Sequence, residues 1–150
     1  MTRQITLALL LLAAGPIACS GVAPKASPPH AYELGTIGGV AELVHSGVKT
    51  LAMSEVLPPA EMTAMLPEAE KVAARNNVKI YRESSLLVTD LFPADVARDK
   101  DVLLIYQGGT LDQYLALKAE ADALDKAGQY TGKAREAIAR RFGRMLSYPS

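Results

Sequence analysis

The sequence predicts a small α/β domain, on three observations. A short apolar stretch, 48–53, and a second candidate strand, 78–83, flank a helical segment, which is a strand–helix–strand unit of the length that parallel crossovers require. Five apolar residues in a row, Val102-Leu103-Leu104-Ile105-Tyr106, imply a strand buried on both faces of a sheet. After them come two amphipathic stretches, 111–127 and 131–146, broken at Gly128. The expected architecture is a small parallel or mixed sheet of three to four strands, with a crossover helix and a C-terminal helical hairpin.

Taken in order, Leu34, Ile37, Ala41 and Val44 recur at helical spacing and predict a helix ending at Gly47, against the helix-weakening glycines 35, 38 and 39. Val48–Met53 follows a glycine and stops before Pro58-Pro59, so it reads as a strand. Pro59 suits a first helical turn, Met62, Met65 and Leu66 supply an apolar stripe, and Pro67 either kinks that helix or starts a second one running to Arg75. Val78–Glu83 is the next strand. Leu86–Leu91 is a third candidate strand, followed by Pro93 and a short helical turn through Arg98. Asp101–Tyr106 takes the centre of the sheet, with helices on both sides.

Thr110-Leu111-Asp112-Gln113 has the spacing of a capping box, in which the Thr110 hydroxyl accepts from the backbone near Gln113 and Gln113 reaches back. Tyr114, Leu117, Ala121 and Leu124 then form one apolar seam. In the last helix Ala134, Ala137, Ile138, Met145 and Leu146 share a face, while Lys133, Arg140 and Arg144 fall on the other side. Arg141 points into the apolar sector and calls for an acidic partner on the preceding helix, such as Asp122 or Asp125.

The start of the chain carries a different message. Arg3 precedes an apolar run, Ile5–Ala14, interrupted only by Thr6, which is the layout of a secretory signal. From Ile5 to Ala18 there are 14 residues, short of the ~20 needed to cross a bilayer. The run ends in Pro16-Ile17-Ala18-Cys19, and Cys19 is the only cysteine of the chain.

Ala18-Cys19 resembles the lipobox of bacterial lipoproteins, with Pro16 in the place usually held by Leu. The resemblance implies that residues 1–18 are removed, that Cys19 is lipidated and becomes the N-terminus, and that the chain is tethered to a membrane of the cell envelope. Ser20 after the cysteine implies the outer membrane, facing the periplasm. Plain secretion with cleavage after Ser20 is the alternative, since Ala18 and Ser20 supply two small residues. The Pro-rich stretch 22–30 reads as a tether, giving a signal peptide at 1–18, an anchor and tether at 19–31 and one domain at 32–150.

Removing residues 1–18 from 150 leaves 132, enough for one self-supporting core. Sixteen basic and sixteen acidic residues balance, and loss of Arg3 leaves an excess of one acid, which argues against nucleic acid as a partner. With no Trp, two Phe and six Tyr, there is little aromatic surface on which a sugar or base could stack.

In an open parallel sheet, ligands bind at the carboxyl ends of the strands. That rule selects Ser54, Glu55, Glu83, Ser84, Ser85, Asp90 and Gln107-Gly108-Gly109-Thr110. Within this set Glu83 and Asp90 are the candidate carboxylate pair for acid/base work, and the turn from Gln107 to Thr110 is the candidate anion-binding segment, its backbone N–H groups lying at a helix start. It lacks the sequence fingerprints of dinucleotide and phosphate loops. No metal site is predicted: His30 lies in the tether, His45 at a helix end, and Asp95, Asp99 and Asp101 do not follow calcium-loop spacing. No cofactor is expected. The favoured reading is a lipid-anchored envelope protein that binds a small ligand or a protein partner. Its alternatives are a small enzyme using Glu83 and Asp90, and a structural subunit of an envelope assembly.

Overall fold

The computed structural model describes residues 29–148; the leader, Cys19 and the tether as far as Pro28 lie outside the described residues. The elements in chain order are α1 (Ala31–His45), β1 (Leu51–Met53), α2 (Pro59–Arg75), β2 (Lys79–Glu83), α3 (Ala94–Ala97), β3 (Val102–Tyr106), α4 (Thr110–Lys126) and α5 (Gly132–Met145). Among them no helix is long and apolar enough to cross a membrane.

The all-apolar strand β3 lies at the centre, in the order β1-β3-β2. Alternation sends its side chains to two layers. Leu103 and Ile105 pack with Ile37, Ala41 and Val44 of α1 and with Met62, Met65, Ala69 and Ala73 of α2. Val102 and Leu104 pack with Tyr114, Leu117 and Ala121 of α4 and with Ile138 and Phe142 of α5. Each helix pair thus covers one face, which is why β3 carries no polar position from Val102 to Ile105.

The expected parallel or mixed pairing is corrected. Both β1 and β2 pair antiparallel with β3, with Met53 opposite Leu104 and Tyr81 opposite Leu104. The outer strands therefore share a direction without touching, and α2 joins them across the inserted β3. Burial places β3 in the middle: Val102–Ile105 are buried on both faces, whereas β2 carries Lys79, Arg82 and Glu83 and β1 spans only three residues, and the connection 84–101 brings β3 back in the opposite direction.

That connection also corrects the candidate strand at Leu86–Leu91, which is irregular. Thr89 is fully buried, and its hydroxyl accepts the N–H groups of Leu91 and Phe92 at 3.2 and 3.3 Å, a local closure that competes with a ladder. The Leu87 N–H goes to the Tyr114 hydroxyl at 3.2 Å. The chain is held to helices by side chains rather than to a strand by backbone.

Pro67 neither breaks α2 nor starts a new helix; it sits on the exposed side of one continuous helix. The capping box is not formed. Gly109 is the N-cap of α4 without any side-chain cap, because Gly108 turns at φ 57 and Thr110 is drawn inward as a buried first helical residue. Gly128, at φ 66, closes the other end as expected.

Candidate functional site

Because β3 runs against its neighbours, the carboxyl ends of β1 and β2 meet the amino end of β3. Ser54, Glu55, Glu83, Ser84 and Ser85 therefore gather at one end of the sheet, and Gln107–Thr110 at the other. The length of β3 separates them by about 17 Å. The single cleft expected at the strand ends is divided in two.

At the second end Gln107 is already engaged: its side-chain amide donates to the Asn77 carbonyl at 2.9 Å and lies 3.2 Å from Nδ1 of His45. Gly108, Gly109 and Thr110 shape the turn into α4, and the Thr110 N–H returns to the Gln107 carbonyl. Among the described residues no group of three His, Cys, Asp or Glu side chains is placed to hold a metal ion.

The first end is richer. After Met53, β1 carries one residue more than β3 before pairing resumes between Leu57 and Asp101, a bulge in which Ser54 fills the gap. The Ser54 hydroxyl accepts the Leu103 N–H at 2.9 Å and donates to the Glu55 carbonyl at 2.8 Å. Glu83, at the end of β2, is buried under α4. Its Oε1 accepts Lys118 Nζ at 2.9 Å and the Ser85 N–H at 2.7 Å, while Oε2 accepts the Tyr114 hydroxyl at 3.0 Å. Burial, and then the charge of Glu83, push the Tyr114 hydroxyl far above its ordinary pKa. Glu83 is thus a charge-compensated clamp that fixes where the connection 84–101 leaves the sheet.

Asp90 is not brought to Glu83's partners. It stands on the surface and accepts Arg135 Nε of α5 at 2.7 Å. Between the two ion pairs lies a groove of about 300 Å³, walled by Ser85–Val88, by Lys118, Ala121, Asp122 and Asp125 of α4, and by Tyr130 and Arg135. The Tyr130 hydroxyl donates to the Val88 carbonyl at 2.6 Å, and the Arg135 guanidinium carbon lies 5.8 Å from the Tyr130 ring centroid. Partial burial raises the pKa of Tyr130; Arg135 opposes that shift, and Asp90, Asp125 and Asp122 add to it. A second, mostly apolar cavity of about 350 Å³ lies beside the bulge, between Met53–Val56, Leu86, Phe92, Val96 and Val102. Both cavities are bounded by the connection 84–101.

Sequence reasoning reached Glu83, Asp90 and Ser85 but missed Lys118, Tyr130 and Arg135 as groove residues. Lys118 follows Tyr114 by four positions, so both reach the same β2 carboxylate from one helix flank, a signal that was present in the spacing. Of the basic face of α5, Arg140 pairs with Glu136, whereas Lys133 and Arg144 have no ion-pair partner among the described residues; off that face, Arg135 pairs with Asp90 and Arg141 with Glu120. The partner of Arg141 is Glu120, not Asp122 or Asp125, since Glu120 lies on the α4 flank that faces α5. The seam residues Tyr114 and Leu117 are buried within the chain and offer no exposed apolar strip for assembly. No protein-family model matches this chain, and neither the curated proteins nor the solved structures contain a match to it.

Proposed function

We propose that the chain is a lipid-anchored envelope protein, held through Cys19, that acts as a binding module with its ligand site in the groove between Ser85–Val88, α4 and Arg135. The observation that carries this reading is the disposition of the connection 84–101. It has no strand of its own, is fastened by Glu83, Tyr114 and Tyr130, and bounds two cavities, where a loop this long in a compact domain commonly serves binding. Glu83 and Asp90 each hold a separate cation, which favours binding over acid/base catalysis by that pair. The leader and the lone cysteine support the outer membrane, facing the periplasm, as the place of action.

The test is affinity capture of the mature protein from its own membrane fraction, with mass spectrometry of the captured partners or ligands and of the N-terminal peptide. A diacylated or triacylated Cys19 peptide is expected, together with a ligand lost on Tyr130→Ala. An unmodified N-terminus beyond residue 19 overturns the anchoring. A ligand retained at full strength by Tyr130→Ala and by Ser85→Trp overturns the groove.

A further inference from the structure

α5 turns two unlike faces. Its inner face, with Ile138, Ala139, Phe142 and Gly143, is buried. On its outer face Lys133, Ala137, Arg140 and Arg144 follow one another at helical spacing, and all are exposed. Beside the last turns of that face lies a mostly apolar cleft of about 260 Å³, floored by the buried Ala139 and Gly143, walled by the exposed Leu91 and Tyr148 and rimmed by Arg140 and Arg144.

Gly143 shapes that cleft. It is a helical residue, where glycine is less stable than alanine. A Cβ there would stand 3.1 Å from Cδ1 of Leu91 and 3.8 Å from the Tyr148 ring. Its absence lets both side chains close against the helix while their outer surfaces stay in solvent, so two large apolar groups are held on the surface beside the basic face.

Charge says what covers it. The whole chain balances sixteen basic residues against sixteen acidic ones, but around this cleft the balance fails. The two acids that line it, Asp90 and Glu136, are already matched by Arg135 and Arg140. Lys133 and Arg144 have no ion-pair partner among the described residues. Neither has Lys49, whose ammonium donates to the Leu146 carbonyl at 3.0 Å and lies 5.9 Å from the centroid of the Tyr148 ring. An acidic protein would answer these cations. The open apolar cleft among them calls for a partner that carries acyl chains directly beneath its negative charges, which is the build of an anionic lipid surface.

We propose that the outer face of α5 docks on an anionic bilayer, with Lys49, Lys133 and Arg144 among the lipid phosphates and Leu91, Tyr148 and the cleft between them at the acyl boundary. The proposal rests on the reading of the chain as membrane-tethered and adds an orientation to it. Residues 19–30 span at most about 40 Å when fully extended, a leash long enough for α5 to reach the bilayer that holds Cys19.

The chain has no Trp, so Tyr148→Trp supplies a single fluorophore at the cleft. The full chain carrying it is reconstituted with vesicles whose acyl chains bear bromine, made of phosphatidylcholine alone or mixed with phosphatidylglycerol. Its emission should shift to the blue and be quenched more strongly in the mixed vesicles, whereas Leu115→Trp, on the flank of α4 turned away from α5, should not respond. Adding Lys133→Glu and Arg144→Glu should cut the quenching by about twofold or more, and high salt should act the same way. Both positions are exposed, so circular dichroism melts should show the fold intact. Flotation separates this docking from the tether: a chain that floats with neutral vesicles while Tyr148→Trp stays unquenched in the mixed ones keeps the tether and overturns the docking, and one that floats and is quenched only with the mixed vesicles does the reverse. Equal quenching at 115 and 148, or quenching indifferent to the charge reversal, also overturns it. If the mixed vesicles leave the emission unmoved and the charge reversal instead releases a protein captured from the membrane fraction, the face belongs to an acidic partner and the lipid docking falls.

Discussion

The two faces of the sheet are built by different rules. Against α1 and α2 the interface is almost wholly aliphatic: Ile37, Ala41, Val44, Met62, Met65, Ala69 and Ala73 meet Leu103, Ile105 and Ala52. Against α4 and α5 the core instead contains the Tyr114, Phe142 and Phe92 rings and takes in Glu83 and Thr89, both buried. Small residues let helices settle close to a sheet without leaving voids. A face that must also anchor a long irregular connection needs directional bonds, and those require polar groups inside. The polar groups that fasten the connection 84–101 lie on the second face, while the first carries one polar pair at its edge, where Arg82 meets the buried Asp101 and also donates to Thr63 and the Pro59 carbonyl of α2.

The largest expected effect separates the two. Phe142→Ala removes a fully buried ring whose centroid lies 5.6 Å from that of Phe92 and 5.7 Å from that of Tyr114, and should cost about 3–5 kcal/mol in denaturant unfolding. Ile105→Ala on the face toward α1 and α2 should cost about 2–5 kcal/mol. Hydrogen exchange distinguishes them: the first should loosen residues 86–92 ahead of global unfolding, the second should not. Equal local opening in both variants would mean that the faces are not separate units.

Next comes the clamp. Glu83→Ala strands the Lys118 ammonium beside the core and should cost about 3 kcal/mol, the low end for a broken buried pair because Lys118 keeps some access to water. The double change Glu83→Gln with Lys118→Met should recover much of that loss, and failure to recover would show that the acid is needed for more than charge balance.

Tyr114→Phe should cost about 1–3 kcal/mol, since it leaves the Leu87 N–H without an acceptor. It also carries a pH signature. The Tyr114 hydroxyl has a higher pKa folded than unfolded, so its contribution is whole below pH ~10 and declines as pH rises beyond it, by up to ~1.4 kcal/mol per unit. The variant should therefore show a shallower alkaline loss of stability than wild type, with Tyr130 accounting for part of the slope that remains.

How much of this was legible depends on what each element needs. Periodicity revealed the helices and the centrality of β3, because burial on two sides leaves a run of apolar residues that nothing else explains. Strand direction left no such mark: β1 and β2 read the same whether β3 lies beside them or between them, and the parallel expectation followed from the helix that links them. The bulge at Ser54 and the buried Glu83 were hidden for the same reason, since each is set by a partner more than thirty positions away, Leu103 for one and Tyr114 for the other. At Leu86–Leu91 the apolar content was read as a strand, whereas Leu86 and Leu87 are buried, Val88 and Leu91 are exposed, and the segment is irregular. Thr89 closes its own turn, and no residue pattern says which of two hydrogen-bonding partners a backbone will take.

The smallest expected effect tests whether surface bonds between α4 and α5 add anything to the apolar hairpin beneath them. Arg141 reaches both carboxylate oxygens of Glu120, at 2.7 and 2.8 Å, through the single nitrogen Nη1 rather than through the two parallel bonds of the strongest guanidinium–carboxylate pairs. The two side chains are also 44% and 47% exposed, so water screens the attraction and ordering both chains offsets it. Arg141→Met and Glu120→Gln should each shift stability by no more than about 1 kcal/mol, and the coupling in the double mutant should be about 0.2–1 kcal/mol, smaller still at 1 M salt. Strictly additive effects would show that this pair contributes nothing and that Ile138 and Phe142 hold the hairpin alone. A coupling near 3 kcal/mol, of the size expected for Glu83 and Lys118, would mean that the surface and the clamp are equally sheltered, and the contrast between the exterior and the polar face would have to be redrawn.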